Sequence, residues 1–224
     1  MSIRLDHVFV CCSPGAPEAD ALLRLGLKEG TRNVHPGQGT ANRRFFFDGG
    51  FLELLWVADA TEARSALASP TRLWERWSQR RAGACPFGVA FSPAGPEVVP
   101  PPFNTWPYRP SYLPADKTIL FAKGASLQEP ELFYLAWPNT FASSATQPKD
   151  HQLPLLRMRS VSVGLPAPGA LSEPAAAVAA AGLLRFHRSA DYELVLDFES
   201  PASIDSNLQP TLPIILRGSP AGAM

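Results

Sequence analysis

The sequence lacks the features of a secreted or membrane-spanning protein. It has three cysteines in 224 residues, at Cys11, Cys12 and Cys85, which cannot form a disulfide framework and do not have the spacing of metal ligands. No apolar run is long enough to span a bilayer, and charged side chains interrupt the first ten residues, where a signal peptide would be apolar. We therefore expect a cytoplasmic protein.

An excess of charge of either sign is also absent. Twenty Lys and Arg residues balance twenty Asp and Glu residues, so the formal net charge is zero at pH 7. Surfaces that bind nucleic acids or anionic membranes normally carry a strong basic excess. The composition is 46% hydrophobic and 10% aromatic, which is enough for a packed core. These properties predict a globular protein that binds a small molecule, without a nucleic-acid or membrane partner.

Prolines divide the chain. There are 24 of them, and they cluster within residues 92–114 and 138–154, which are therefore expected to be connections. The hydrophobic patterns on either side predict one compact α+β domain of repeated modules. Its parts are a βαβββ module (1–60), a connecting helix (61–84), a degenerate β module (85–137), a proline-rich linker (138–156) and a C-terminal βαβββ module (157–218).

Several elements can be placed within these modules. Residues Asn42 to Asp48 and Phe51 to Val57 read as two strands joined by a tight glycine turn. The segment Ser69-Pro70-Thr71-Arg72 is expected to begin the connecting helix, with Ser69 as its N-cap and an end near Arg81. Ser172 is expected to cap an alanine-rich helix in the C-terminal module.

Glu53 is the most unusual residue of the sequence. It lies among apolar residues, in a strand that we expect to be buried on both faces. A buried carboxylate without a partner is costly, so Glu53 should have a proton donor or a cation beside it. His7, in the first strand of the same module, is the candidate partner. The two residues could form an acid–base pair or supply a nitrogen and an oxygen ligand to a divalent metal ion. Alternatively, His7 is a structural histidine whose ring nitrogens are satisfied by the backbone or by Glu53.

A polar glycine loop leads into these strands. His35, Thr40 and Asn42 are candidate ligand-binding residues, because the glycines between them would allow the backbone to approach a ligand closely. The alternative is that these side chains only cap the backbone of their own loop. Arg43 and Arg44 follow in a strand, so one of them must point inward, and we predict that Arg44 does. An inward arginine favours an acidic substrate.

The order and spacing of these motifs resemble the glyoxalase-like domain proteins of the vicinal oxygen chelate superfamily. The motifs are Leu5-Asp6-His7, Gly39-Thr40-Ala41-Asn42 and Leu52-Glu53-Leu54, with the aromatic strand Leu132 to Trp137 ahead of Pro138. The resemblance implies an α+β fold in which βαβββ modules form curved mixed sheets around a cup. It also implies pairing of modules, within one chain or between the chains of a homodimer.

For metal-dependent members, the resemblance implies a divalent metal ion held by His7, Glu53 and two ligands from a second module. This chain departs from that pattern. If the second module is 85–137, the equivalent positions fall near Phe87 or Gly88 and near Phe133. If it is 157–218, they fall near Ser160 or Ser162 and near Ile214 or Ile215. None of these is a good ligand, so a complete site would need His35, His151 or a partner chain.

These residues and motifs support two functions. The first is a lyase or isomerase that binds a small oxygenated molecule and moves a proton or polarises a carbonyl group, with His7 and Glu53 as the acting residues. The second is a binding protein that sequesters an aromatic or hydrophobic compound without chemistry. The aromatic content and the missing second pair of ligands favour the second function.

Overall fold

A computed structural model describes residues 3–137, 146–166 and 169–222, so residues 138–145 of the predicted linker lie outside the described part. The strands form two sheets and the helices are short. The strands are β1 (Ile3–Cys11), β2 (Asn33–His35), β3 (Thr40–Phe47), β4 (Gly50–Val57), β5 (Phe87–Pro93), β6 (Thr105–Tyr108), β7 (Ile119–Ala122), β8 (Glu131–Leu135), β9 (Arg157–Leu165), β10 (Arg185–Arg188), β11 (Glu193–Glu199), β12 (Ile204–Asn207) and β13 (Ile214–Ser219). The α-helices are α1 (Ala19–Arg24), α2 (Ala60–Ala63), α3 (Leu73–Ser78) and α4 (Glu173–Ala180).

The first sheet has eight strands in the order β2-β3-β4-β1-β5-β8-β7-β6. Strand β1 pairs in parallel with β4, and β5 pairs in parallel with β8, while β1 and β5 are antiparallel at the centre. The two halves of the sheet therefore repeat one topology about a central approximate two-fold axis. Residues 85–137 supply the second half, with coil where the first half has α1.

The second sheet has five strands in the order β10-β9-β11-β13-β12. It repeats the central arrangement with fewer strands, because β9 and β10 are parallel, β11 and β13 are parallel, and β9 and β11 are antiparallel. This part of the chain has four strands after its helix rather than the three that the sequence predicts. Its strands pair with one another, so it does not complete the first sheet.

The main core lies between the convex face of the first sheet and the second sheet. Val8 and Leu54 of the first sheet and Val163 and Leu196 of the second sheet belong to one buried cluster, together with Leu22 of α1. The concave face of the first sheet has a second cluster, which includes Phe9, Phe121 and Phe133. Burial on both faces explains why β4 reads as a nearly continuous apolar run.

The connecting helix differs from the prediction. Residues Ser69–Thr71 form a short 3-10 helix, and α3 begins only at Leu73. The chain breaks between them because Arg72 has a φ of 56°, which lies in the left-handed region. Ser172 precedes α4 as predicted but does not cap it, since its hydroxyl group hydrogen-bonds Glu129 instead.

Strand β2 is short and pairs with the start of β3 at the edge of the first sheet. Among the described residues, no helix has the length and apolar character needed to cross a membrane.

Candidate functional site

A cavity of about 520 Å³ lies on the concave face of the first sheet, and we call this cavity the cup. The sheet curls around it, so side chains from β1, β3 and β4 form one side and side chains from β7 and β8 form the other. The first side carries His7, Asn42, Arg44 and Glu53, which we call the polar wall. Alternation along each strand places these residues on the cup face and their apolar neighbours in the main core.

A β-bulge in β1 positions His7. In the pairing with β5, Leu5 lies opposite Phe91 and His7 lies opposite Ala90, so Asp6 is an extra residue in β1. Asp6 is buried, and its Oδ1 lies 2.7 Å from His7 Nδ1. An ionised Asp6 can only accept a hydrogen bond, so Nδ1 carries a proton, and in the neutral imidazole Nε2 is then the nitrogen with the free lone pair.

Glu53 lies on the other side of the His7 ring. His7 Nε2 and Glu53 Oε2 are 3.7 Å apart, and both side chains are nearly buried. The His7 ring stacks on Phe51, with centroids 4.4 Å apart and an interplanar angle of 13°, which fixes its orientation. Two unprotonated acceptors facing each other repel, so the gap between them suits a proton, a water molecule or a ligand group that donates.

Asn42 fixes the Glu53 carboxylate. Its side-chain amide nitrogen donates to Glu53 Oε1. The other end of the same amide is held as well, because Asn42 Oδ1 accepts a hydrogen bond of 2.9 Å from the backbone N–H of Asn33. Asp6, His7, Glu53 and Asn42 thus form one continuous polar array, in which Asn42 binds Glu53 Oε1 and His7 faces Oε2.

The two arginines of β3 point in opposite directions, as the alternation predicts. Arg43 leaves the cup and pairs with Glu29, with Nη2 2.6 Å from Oε2. Arg44 borders the cup and packs over Phe51, 5.9 Å from the ring centroid. Its Nε donates to the carbonyl oxygen of Thr31 at 2.7 Å. Desolvation lowers the pKa of Arg44 and Glu53 opposes this shift, so the guanidinium group stays cationic beside the carboxylate.

The glycine loop closes one side of the cup mouth. It is a tight turn of residues 36–39 between β2 and β3. His35 borders the cup, whereas Thr40 is buried behind it and does not. The Thr40 hydroxyl lies 2.9 Å from His35 Nδ1 and accepts a hydrogen bond of 2.8 Å from Gln38 Nε2. Desolvation lowers the pKa of His35, Glu53 opposes that shift, and Arg44 and His7 add to it.

The second half of the sheet has no counterpart to His7 and Glu53. His7 lies two residues before Phe9, which is opposite Glu53 in the parallel pair β1–β4, and Gly88 lies two residues before Ala90, which is opposite Phe133 in the parallel pair β5–β8. By the two-fold relation, Gly88 and Phe133 occupy the equivalent positions. A Cβ atom at Gly88 would lie 2.0 Å from Phe9 Cε1, so the Phe9 ring fills the space that a ligand side chain would need.

These residues do not fit a metal centre of four protein ligands. Across residues 3–137, 146–166 and 169–222, no group of three or more His, Cys, Asp or Glu side chains could hold a metal ion. Glu131 is not available as a metal ligand, because its carboxylate is paired with Arg76 of α3, with Arg76 Nη2 3.2 Å from Glu131 Oε2. Within the described part of the chain, His7 and Glu53 face each other as one nitrogen and one carboxylate donor, which is half of such a ligand set.

The structure also adds cup residues that the sequence patterns did not reveal. They come from the segment between β6 and β7, from β7 itself and from the residues that follow β8: Tyr112, Lys117, Phe121 and Trp137. Tyr112 donates to Gln38 Oε1 at 2.9 Å, which links the two halves across the cup mouth. The flanking prolines marked this segment only as a connection, and its place over the cup depends on the pairing of the two halves.

Comparisons with known proteins agree with this architecture. The sequence model of the glyoxalase-like domain family matches residues 5–179. A hypothetical protein from Staphylococcus aureus has 12% sequence identity, and the alignment covers 99% of this chain and 100% of that chain with a TM-score of 0.53. This similarity supports the glyoxalase-like α+β fold.

Two epimerase structures are similar at a lower level. A methylmalonyl-CoA epimerase variant from Streptomyces coelicolor in complex with 2-nitronate-propionyl-CoA is 15% identical, covering 66% of this chain and 99% of that chain with a TM-score of 0.41. The Mycobacterium tuberculosis methylmalonyl-CoA epimerase is 12% identical, covering 63% and 92% with a TM-score of 0.37. No curated protein sequence matches significantly. The match over residues 5–179 shows that the chain belongs to the glyoxalase-like domain family.

Proposed function

We propose that this protein binds a small oxygenated acid in the cup and catalyses proton transfer at a carbon next to a carbonyl group, in the manner of a lyase or isomerase. The observation that carries the proposal is the array Asp6–His7–Glu53–Asn42, with His7 Nε2 3.7 Å from Glu53 Oε2 and directed to the cup. An imidazole oriented by one carboxylate and facing another is suited to general acid–base catalysis.

The proton can be followed through this array. His7 Nε2 takes the proton from the carbon, the C–H electron pair moves into a new C=C bond, and the carbonyl π electrons move to the oxygen as an enolate. The imidazolium ion that forms has the Asp6 carboxylate next to Nδ1 and the Glu53 carboxylate next to Nε2. Arg44 supplies positive charge on the same wall, where the enolate oxygen or a substrate carboxylate would be stabilised. Transfer of this proton to a different carbon of the enolate, or to the opposite face of the same carbon, completes an isomerisation, whereas its return to the original position gives exchange alone.

The charges around the cup favour an anionic substrate. Glu53 is its one bordering carboxylate among the described residues, whereas Arg44 and Lys117 are both cationic. Asp6 lies behind His7 and does not border the cavity. Because the walls are largely apolar, these charges act in a medium that screens them less than water does. Arg44, His35 and Asn42 are the proposed binding residues, with Thr40 supporting His35 from behind.

Since the donor set does not fit a metal centre, no step of this proposal uses a metal ion. A second candidate function is binding without chemistry. It is favoured by Phe9 and Phe133, which occupy the half of the cup where further polar residues would otherwise act.

Solvent exchange tests the first candidate. Pyruvate and phenylpyruvate are incubated with the protein in deuterium oxide, and exchange at the carbon next to the oxo group is followed by NMR. We expect exchange above the buffer rate that survives EDTA and falls at least about 100-fold in His7→Gln and Glu53→Gln, the usual range for loss of acid–base catalysis. Bound ligand with no exchange above buffer contradicts proton transfer on these acids and favours the binding function.

The chain provides a matched control. His187 and Glu193 form another His–Glu pair, 2.9 Å apart on the second sheet and away from the cup. His187→Gln and Glu193→Gln should leave exchange unchanged. Equal losses in both pairs of variants would show a general effect on the fold.

A further inference from the structure

We infer that the substrate carries an aromatic ring one or two bonds from its oxygenated carbon, and that the ring binds to the second half of the cup. This inference rests on the proposed function, because it names the substrate class of the same site. The residues that carry it are Phe9, Phe133, Phe121 and Trp106, which we call the aromatic wall.

Strand register builds the aromatic wall. Phe121 lies directly opposite Phe133 in the pair β7–β8, and Trp106 lies directly opposite Phe121 in β6–β7. Directly opposed side chains on one face of a sheet pack against each other. Strand β5 lies between β1 and β8, and at the level of Phe9 it has Gly88, which carries no side chain. The Phe9 ring therefore extends across β5 towards Phe133. The result is one aromatic row across five neighbouring strands.

The ring geometry shows which surface the row presents. The Phe121 and Phe133 centroids are 5.4 Å apart with an interplanar angle of 21°, and those of Trp106 and Phe121 are 5.2 Å apart with an angle of 23°. These centroids are too close for rings that lie side by side in one plane, so the rings overlap face to face. Phe121 and Phe133 therefore turn their edges to the cup, and ring edges carry partial positive charge that attracts the π face of another ring.

The distance between the two walls limits the ligand. His7 contacts Phe133 edge to face, with centroids 5.5 Å apart. A carbon that faces His7 Nε2 is therefore within about one ring width of the aromatic wall. A long spacer would carry the substrate ring past this wall, whereas a ring attached directly or through one methylene group would lie against it. The cup has the volume for such a molecule, since ligand pockets are typically about 300–1,000 Å³.

The occupant is therefore an aryl 2-hydroxy or 2-oxo acid. Its oxygens and carboxylate would face His7, Glu53 and Arg44, and its ring would lie on the edges of Phe121 and Phe133. An aliphatic acid of the same length would keep the polar contacts and lose the edge-to-face contact. This contrast separates recognition of an aromatic ring from simple hydrophobic burial.

Three probes of one chemical series test the inference by isothermal titration calorimetry: lactate, mandelate and hexahydromandelate. They share the 2-hydroxy acid group and differ in a methyl, phenyl or cyclohexyl substituent. We expect mandelate to bind at least about 10-fold tighter than lactate and about 3-fold or more tighter than hexahydromandelate, as an edge-to-face contact predicts. Mandelate that binds no tighter than lactate, or does not bind, overturns the inference.

Variants locate the effect. Phe133→Leu and Phe121→Leu should each reduce the preference for mandelate over lactate by about 3- to 10-fold. Phe198→Leu is the matched control, because Phe198 lies in the main core, with its ring 4.6 Å from that of Phe47. An unchanged preference in both wall variants overturns the assignment to this wall.

The outcome is separable from that of the proposed function, because affinity is measured here and exchange is measured there. Exchange on pyruvate without a preference for mandelate would support proton transfer and overturn the aromatic class. A mandelate preference that depends on Phe133, without exchange on either oxo acid, would support the aromatic class and contradict proton transfer.

Discussion

Arg76 and Glu131 form a buried ion pair that joins α3 to the second half of the first sheet, and breaking it should destabilise the protein strongly. The Arg76 side chain is 1% exposed, with Nη2 3.2 Å from Glu131 Oε2. Arg76 Nη1 also donates to the carbonyl oxygens of Cys85 and Glu129, both at 2.7 Å. One side chain of α3 therefore links the helix to the start of β5 and the start of β8. The same helix supplies Leu73 to the cup.

The expected magnitude follows from these contacts. Arg76→Met keeps most of the apolar stem but leaves the Glu131 carboxylate buried without its cation, which costs about 3–5 kcal/mol of unfolding free energy. In a chain of this size, each kcal/mol lowers Tm by about 2–4 °C, so Tm should fall by about 6–20 °C. Replacing both residues, as in Arg76→Met/Glu131→Leu, removes the unpaired charge and should recover at least about 1 kcal/mol.

The pH dependence gives an independent check. Burial raises the pKa of Glu131 above its ordinary value of 4.5, and Arg76 opposes that rise. A carboxyl group with a raised folded-state pKa contributes stability at low pH that is lost as pH rises through that pKa. Arg76→Met should raise the pKa of Glu131 further. The loss of unfolding free energy in this variant, relative to the native protein, should therefore become smaller when pH falls from 7.5 to 5. Urea unfolding of the native protein and both variants measures these values. A loss below about 1 kcal/mol, or a double variant as unstable as the single one, would refute this role of the ion pair.

Two further predictions concern the cup mouth. Gly37 and Gly39 both have positive φ, but a Cβ atom at Gly39 would lie 2.2 Å from the backbone oxygen of Asp59, whereas at Gly37 it would meet only a serine hydroxyl at 3.1 Å. Gly39→Ala should therefore lower Tm clearly more than Gly37→Ala, and equal effects in thermal unfolding would contradict the assigned contact. The pKa of His35 is lowered from 6.5, so its contribution to stability is present above pH 6.5 and is lost as pH falls towards the lower folded-state pKa. NMR should show His35 titrating below pH 6.5. In that pH range, His35→Gln should reduce the slope of unfolding free energy against pH by up to about 1.4 kcal/mol per pH unit. Titration of His35 at or above pH 6.5 would contradict the lowered pKa.

The sequence predicted the first half of the fold well because its signals are local. The pair β3–β4 follows from two apolar runs joined by a glycine turn, and alternation within β3 correctly separated Arg43 from Arg44. The fold class and the family were also correct, since the motifs around His7 and Glu53 lie in order along one module. Local signals failed where tertiary contacts compete with them. Ser172 has the sequence context of an N-cap, but its hydroxyl group donates a hydrogen bond to the carboxylate of Glu129, which belongs to a distant segment.

The second half could not be predicted in the same way. Residues 85–137 have no helix where the first half has α1, so their repeat of the topology is visible only in the strand pairing. Tyr112 and Lys117 border the cup because β5 pairs with β1, a contact between distant segments that no local pattern encodes. The aromatic wall has the same origin, since it depends on the register of four strand pairs.

Within β3 and β4, the sequence by itself determined which residues share a face, because the two-residue period of a strand fixes this alternation. It therefore placed an isolated carboxylate at Glu53 and a histidine at His7 on the same module. Only the tertiary structure decided what surrounds them. The bulge at Asp6 orients the imidazole, and the central pairing of β1 with β5 brings Gly88 and Phe133 opposite the polar wall. Which strands pair depends on contacts between segments that are far apart in the sequence. The free energy that favours one pairing comes from apolar surface that is buried only when the sheets pack together.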